Sequence, residues 1–181
     1  MNRIVPVLLL LVAACREAAP PPPPAAPAPA VPAAPAPTPA EALDGLDARK
    51  PVPLLAMMAN HQKQNMREHL VAVQEIVSAL AANDFAAVEK AAAKVGFSEQ
   101  MGMMCNHMGA GAPGFSEQAL QFHHTADGIG EAARKKDAAG VLKALDATLQ
   151  TCTACHETWK QRVVSDAQWK AATGTAAPMP H

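Results

Sequence analysis

Eleven of the 17 prolines fall between Pro20 and Pro39, beginning with the unbroken run Pro20 to Pro24 and continuing as Ala-Pro alternation. Such a run donates few backbone hydrogen bonds and has nothing apolar to bury. It reads as extended polyproline II, a spacer that reaches about 3.1 Å per residue, and it stands outside any core. What folds must follow it. Residues 52–169 have the size of one small domain, and the tail 170–181 reads as disordered.

Upstream of the spacer, Met1-Asn2-Arg3 carries a positive charge and Ile4 to Ala14 is apolar, far short of the roughly 20 residues that span a bilayer as a helix. Residues 1–14 read as a secretory signal peptide. Val12-Ala13-Ala14-Cys15 resembles a bacterial lipobox, so Cys15 is the expected lipidation site and 15–51 a lipidated tether. Acyl chains anchor a protein without a transmembrane helix. Arg16 after the cysteine favours the outer membrane over the inner, which makes the expected location periplasmic and lipid-anchored.

Outside the spacer the apolar residues are mainly Ala, Leu, Val and Met, and aromatic residues make up 3% of the chain. Few β-branched or aromatic runs occur, which disfavours a sheet and favours helices. Leu54 to Ala82 carries apolar positions every three or four residues, the stripe of an amphipathic helix. Asn83-Asp84 supplies the cap of a second helix, Phe85 to Val95, which Gly96 stops. A third runs from Ser116, its cap, to Lys136, and a fourth, capped by Asp137, from Ala138 to Val164. Asn83-Asp84-Phe85-Ala86-Ala87-Val88 echoes Lys136-Asp137-Ala138-Ala139-Gly140-Val141 at the turn of each pair. Two helical hairpins give an all-α fold, an antiparallel four-helix bundle.

On the fourth helix stands Cys152-Thr153-Ala154-Cys155-His156, the Cys-x-x-Cys-His attachment signature of c-type haem. Two thiols add to the haem vinyl groups while the adjacent imidazole takes the iron from one side. At i, i+3 and i+4 all three project from one helix face, with His156 as proximal ligand. A thioredoxin-like site needs a βαβ pattern, which is missing. A zinc site wants a second cysteine pair, and a disulfide between Cys152 and Cys155 would constrain little. Covalent haem c is the expected cofactor.

With Glu157-Thr158-Trp159-Lys160 after the motif, the four-helix pattern resembles the class II cytochromes c, the cytochrome c-prime superfamily, over roughly Leu54 to Val164. The resemblance implies a covalently haem-bearing bundle, with Trp159 near the haem edge. It also implies that the first helix faces the open side of the iron. Counting from His61-Gln62, the nearest match to the family's Arg-Gln, reaches Asn65 or Met66, and Met66 is the one of these able to ligate iron. His69, Met58, His61 and an open distal side are the alternatives. A haem in the centre would also account for the few aromatics, and implies that the apo-domain is poorly folded.

Met101-Gly102-Met103-Met104-Cys105-Asn106-His107-Met108 gathers thioether, thiol and imidazole groups of the kind that select soft metals. The plainer reading is a short helix from Glu99 to His107, ended by Gly109, that packs Met101, Met104, Cys105 and Met108 inward. Of His123 and His124, one is expected at the core edge and one exposed, and His181 in solvent. Net charge is −1, so no nucleic-acid footprint exists. No catalytic triad, paired carboxylates or phosphate loop can be placed on these helices.

The expected function is single-electron transfer by a periplasmic, membrane-anchored cytochrome that is not an enzyme. Its partners are other redox proteins there, the membrane through its lipid anchor, and, as one option, a second copy in a homodimer. The alternatives are a five-coordinate haem protein binding nitric oxide or carbon monoxide, and copper binding through residues 101–108.

Overall fold

The computed structural model describes residues 36–174. The expected signal segment 1–14, the lipidation site Cys15, the spacer up to residue 35 and His181 lie outside the described residues. The described chain is mostly helical. In order it forms α1 (Pro39–Leu46), β1 (Lys50–Leu54), α2 (Ala56–Ala81), α3 (Phe85–Ala92), α4 (Glu99–Gly109), α5 (Phe115–Arg134), α6 (Ala138–Thr158), β2 (Trp159–Val163) and α7 (Asp166–Thr173). No described helix is long and apolar enough to cross a membrane.

The long helices form where the apolar periodicity places them, and the two echoing turns are alike in geometry. Asn83 and Lys136 both take positive φ, 56° and 55°. In each turn the next amide closes back across the helix end, Asp84 N–H to the Ala79 carbonyl and Asp137 N–H to the Ala132 carbonyl. That is the Schellman closure of a helix end. The same aspartates then cap the following helix, accepting from the Ala87 and Gly140 amides. Each hairpin is therefore turned by a left-handed residue and an aspartate doing double duty.

Four expectations are corrected. The sequence disfavours a sheet, yet β1 and β2 pair in parallel, with Val52 opposite Gln161. Leu54 accepts from the Val164 amide, so alternate residues of β1 face β2, and Pro51 and Pro53, which lack N–H groups, point away from it. That is the edge placement proline tolerates. The fourth helix consequently ends at Thr158 rather than Val164, and Trp159 sits on a strand instead of the helix face of His156. Ser116 is not a cap: Gly114, with φ 92°, occupies that position, and the Ser116 hydroxyl donates to the Cys105 carbonyl at 3.2 Å.

Finally, folded structure starts before residue 52 and passes residue 169. α1 opens with a capping box in which Thr38 and Glu41 bond each other's backbone N–H. Lys160, its side chain nearly buried, holds the end of α1 through the carbonyls of Asp44 and Asp47 and the Asp44 carboxylate. At the other end α7 extends through Thr173.

Among the described residues three apolar clusters fill the interior. One joins the sheet to α4 and α7 through Val52, Leu54, Met58, Met108, Phe115, Trp159 and Trp169. A second, around Ile76, Val88, Ile129 and Val141, knits α2, α3, α5 and α6 at the hairpin turns. A small third unites Ala72, Val95, Phe122 and Ala126. Each fully buried aliphatic side chain contributes roughly 1.5–3 kcal/mol. Between the first and third clusters the interior is open.

Candidate functional site

That opening is a cavity of about 690 Å³, within the range of small-molecule and cofactor sites. Cys152, Cys155 and His156 line it from the last turns of α6, as their helical spacing requires. Cys155 packs on the first cluster and Cys152 on the third, so the two thiols face the cavity from its two apolar ends. Both are free thiols. Burial raises both above the ordinary thiol range, and for Cys155 the neighbouring Cys152 adds to the effect, so both remain protonated at neutral pH. The Thr151 hydroxyl, which also lines the cavity, donates back to the Thr148 carbonyl of its own helix, which leaves the motif's thiols and imidazole as the polar side-chain groups that α6 offers the cavity.

From α2 the cavity receives Met66, His69, Leu70 and Val73. The four distal candidates thereby separate. Met58 is buried in the first cluster, and His61 Nε2 lies 3.0 Å from Met104 Sδ; neither lines the cavity. Met66 does, with 39% of its surface exposed. His69 does as well, its ring against Phe122 at 5.0 Å and His123 at 5.4 Å. Burial, and then the neighbouring His123, bring its pKa down to about 4, so it is a neutral imidazole. His123 is buried rather than at the core edge and donates from Nδ1 to the Val95 carbonyl at 2.8 Å, while His124 is exposed.

α4 forms as expected and distributes the methionine-rich segment. Met101, Cys105 and Met108, on one face, line the cavity. Met104 meets His61, Met103 is 65% exposed and His107 packs on Trp169. Burial pushes the Cys105 thiol up to about 11. Among the described residues no group of three or more His, Cys, Asp or Glu side chains could hold a metal ion.

The charged side chains on the wall are Arg49, Lys63, Arg67 and Lys160, all cations. Lys160 is neutralised by Asp44 and Arg49 pairs with Asp47 at 2.6 Å. Lys63 and Arg67, one helical turn apart, make no ion pair among the described residues. The Arg49 guanidinium also donates to the His156 carbonyl at 2.9 Å. Sequence reasoning singled out Lys160, which follows the motif, but missed the other three, because Arg49 lies in the stretch assigned to the tether, and Lys63 and Arg67 look like ordinary solvated helix charges. The one legible signal was Thr38-Pro39-Ala40-Glu41, a capping-box pattern.

No family model matches the chain, and neither a curated protein nor a solved structure matches it. The reading of the cavity rests on its own residues.

Proposed function

We propose that the domain is a c-type cytochrome: Cys152 and Cys155 would hold haem covalently, His156 and Met66 would ligate its iron, and single-electron transfer would be its role. The observation that carries this reading is the convergence on one cavity of the two free thiols and imidazole of α6 with the thioether of Met66 from α2. A flat apolar group bearing carboxylates fits such walls, since methionine, leucine and aromatic side chains cover its rings and the unpaired cations Lys63 and Arg67 meet its negative charge. Bound haem would supply the one-electron chemistry, and methionine–histidine ligation raises its potential.

The protein's own part is positional. Arg49 holds the end of α6 that carries His156, the apolar wall limits water, and the thiols fix the group's orientation. On this reading α2, α3, α5 and α6 are the four helices of a cytochrome c-prime-like antiparallel bundle, with α4 inserted and the strand pair added beneath. The lipid anchor at Cys15 and the periplasmic location follow from the sequence pattern and belong to the same proposal.

Absorption spectra of the purified protein in both oxidation states test it. Haem that survives acid–acetone extraction, with a low-spin ferrous form that takes up no carbon monoxide, is the expected result. Covalent haem in a high-spin form that binds the gas replaces electron transfer with gas binding. Protein that retains no haem when made with the haem-attachment machinery overturns the reading.

A further inference from the structure

We infer that His123 is a proton-binding site coupled to electron transfer, taking up a proton from solvent when the haem iron gains an electron and releasing it on oxidation. The inference rests on the haem reading above and adds a second role to the same cavity. Its grounds are the tautomer of the His123 ring, the direction its free nitrogen faces and the charges around it.

The tautomer follows from one contact. His123 is 3% exposed, and its Nδ1 lies 2.8 Å from the Val95 carbonyl. A carbonyl accepts and cannot donate, so the proton of the neutral ring sits on Nδ1 and the lone pair on Nε2. Nε2 makes no hydrogen bond among the described residues, and no completely enclosed side-chain nitrogen there lacks one. Nε2 therefore opens onto the cavity that the residue lines. A buried imidazole with one nitrogen tied to the backbone and the other free can gain a proton without giving up its existing bond.

The surroundings keep the ring neutral at rest. Burial lowers its pKa, the Val95 carbonyl and then Asp127 push it back up, and His124 adds to the lowering. From α2 it faces the neutral His69 ring at 5.4 Å. From α6 the protonated Cys152 thiol packs on the cluster of Val95 and Phe122, and the Phe122 ring lies 4.8 Å from the His123 ring. The charged side chains on the cavity wall are Arg49, Lys63, Arg67 and Lys160, with no carboxylate among them. An electron added to a group joined at Cys152 puts one negative charge into these apolar surroundings, where charges interact far more strongly than in water. The affinity of Nε2 for a proton rises accordingly. The step balances: one electron comes from the redox partner, one proton from solvent, and the neutral ring becomes imidazolium.

The reduction potential of the haem-loaded full-length protein is measured from about pH 5 to about pH 8, as wild type, His123→Asn and His124→Asn. Asparagine can still donate to the Val95 carbonyl but cannot ionise. In wild type the potential is expected to fall as pH rises, by up to about 59 mV for each tenfold drop in proton concentration in a one-electron couple. His123→Asn should lose that slope, and His124→Asn, which changes the exposed neighbour, should keep it. Should His123→Asn not fold, the His123 ring of wild type is titrated by NMR in each oxidation state, and its midpoint must be higher in the reduced protein. A potential that stays flat, a slope that survives in His123→Asn, or equal midpoints in the two states overturns the proposal and leaves the haem reading standing. Protein that carries no haem overturns both.

Discussion

The guanidinium of Arg49 donates to the carbonyl oxygen of His156 at 2.9 Å, across 107 residues of sequence. The carbonyl belongs to the last turn of α6, where helix carbonyls lack an intrahelical partner. Arg49 supplies that partner and delivers a positive charge to the negative end of the helix. Its own orientation is set by Asp47, bonded to the guanidinium by 2.6 Å and 2.9 Å contacts. The link between α1 and β1 thus holds the end of α6 that carries Cys155 and His156.

Asp47 reports on that grip. Hydrogen bonds from the Arg49 side chain, and then from its backbone N–H, hold the Asp47 carboxyl down at about 2, against an ordinary 3.8. A depressed carboxylate stabilises the fold above its unfolded value and loses that contribution as pH falls through the folded one. The window here is about 4 to 2. In Arg49→Gln the carboxyl, followed by NMR titration, is expected to rise most of the way to 3.8, and the amides at the end of α6 to exchange faster. An unmoved titration would mean that Asp47 is held by something else.

The turn at Lys136 is predicted to be improvable. Its φ of 55° is a left-handed conformation that costs a side chain with a Cβ about 1–2 kcal/mol, and glycine is the usual occupant of this position in a Schellman closure. Lys136→Gly is expected to raise the unfolding free energy by about 0.5–1 kcal/mol in urea, net of glycine's greater chain entropy. Asn83→Gly, at φ 56°, gains less because asparagine already tolerates the conformation. Equal gains at both sites would refute the side-chain explanation.

The contrast between these turns and the strand pair marks where local sequence stops being informative. Asp84 and Asp137 announce helix starts within a few residues of themselves, and the apolar stripe from Met58 to Leu80 repeats along its own helix. The starts of α3 and α6, the echo and the convergence of Cys152, Cys155 and His156 on one face follow from such short-range rules. β1 and β2 obey none. Their pairing joins Val52 to Gln161, with the whole of α2 to α6 as the crossover, and Lys50-Pro51-Val52-Pro53-Leu54 resembles the end of the spacer more than a strand. The same separation hid Arg49. The choice among distal ligands was unreadable for another reason: Met58, His61, Met66 and His69 share one helix, and their three-dimensional neighbours, α4 and the sheet for two, the cavity for the others, distinguish them.

Acidification should weaken the fold well before Asp47 titrates. His69 is kept neutral, its pKa lowered from 6.5 to about 4 by burial and then by His123, and burial pushes His123 in the same direction. A histidine depressed in this way binds its proton more readily unfolded than folded. Its contribution is therefore complete above pH 6.5 and declines as pH falls toward 4. The unfolding free energy is expected to drop by about 1–2 kcal/mol between pH 7 and pH 5. His69→Phe, which preserves a ring against Phe122, should flatten most of that slope in urea titrations at the two pH values. A slope that persists in full would assign it to His123 or to other groups.

Ligation within the cavity gives the sharpest division, because Met66 and His69 are one helical turn apart on α2 and both line it. The His69 ring is confined by Phe122 at 5.0 Å and His123 at 5.4 Å, so its plane is fixed by packing. Met66 is unbranched and 39% exposed, and its thioether can swing to meet an iron held by His156. Met66→Leu keeps volume and apolarity while removing the sulfur. In the haem-loaded protein it is expected to turn a low-spin spectrum high-spin, open the iron to carbon monoxide and lower the reduction potential. His69→Phe is expected to leave all three unchanged. The reverse pattern, a silent Met66→Leu beside a high-spin His69→Phe, would transfer the sixth ligand to the imidazole. A wild type already high-spin would leave the iron open on the α2 side and shift the role from carrying electrons to binding gas.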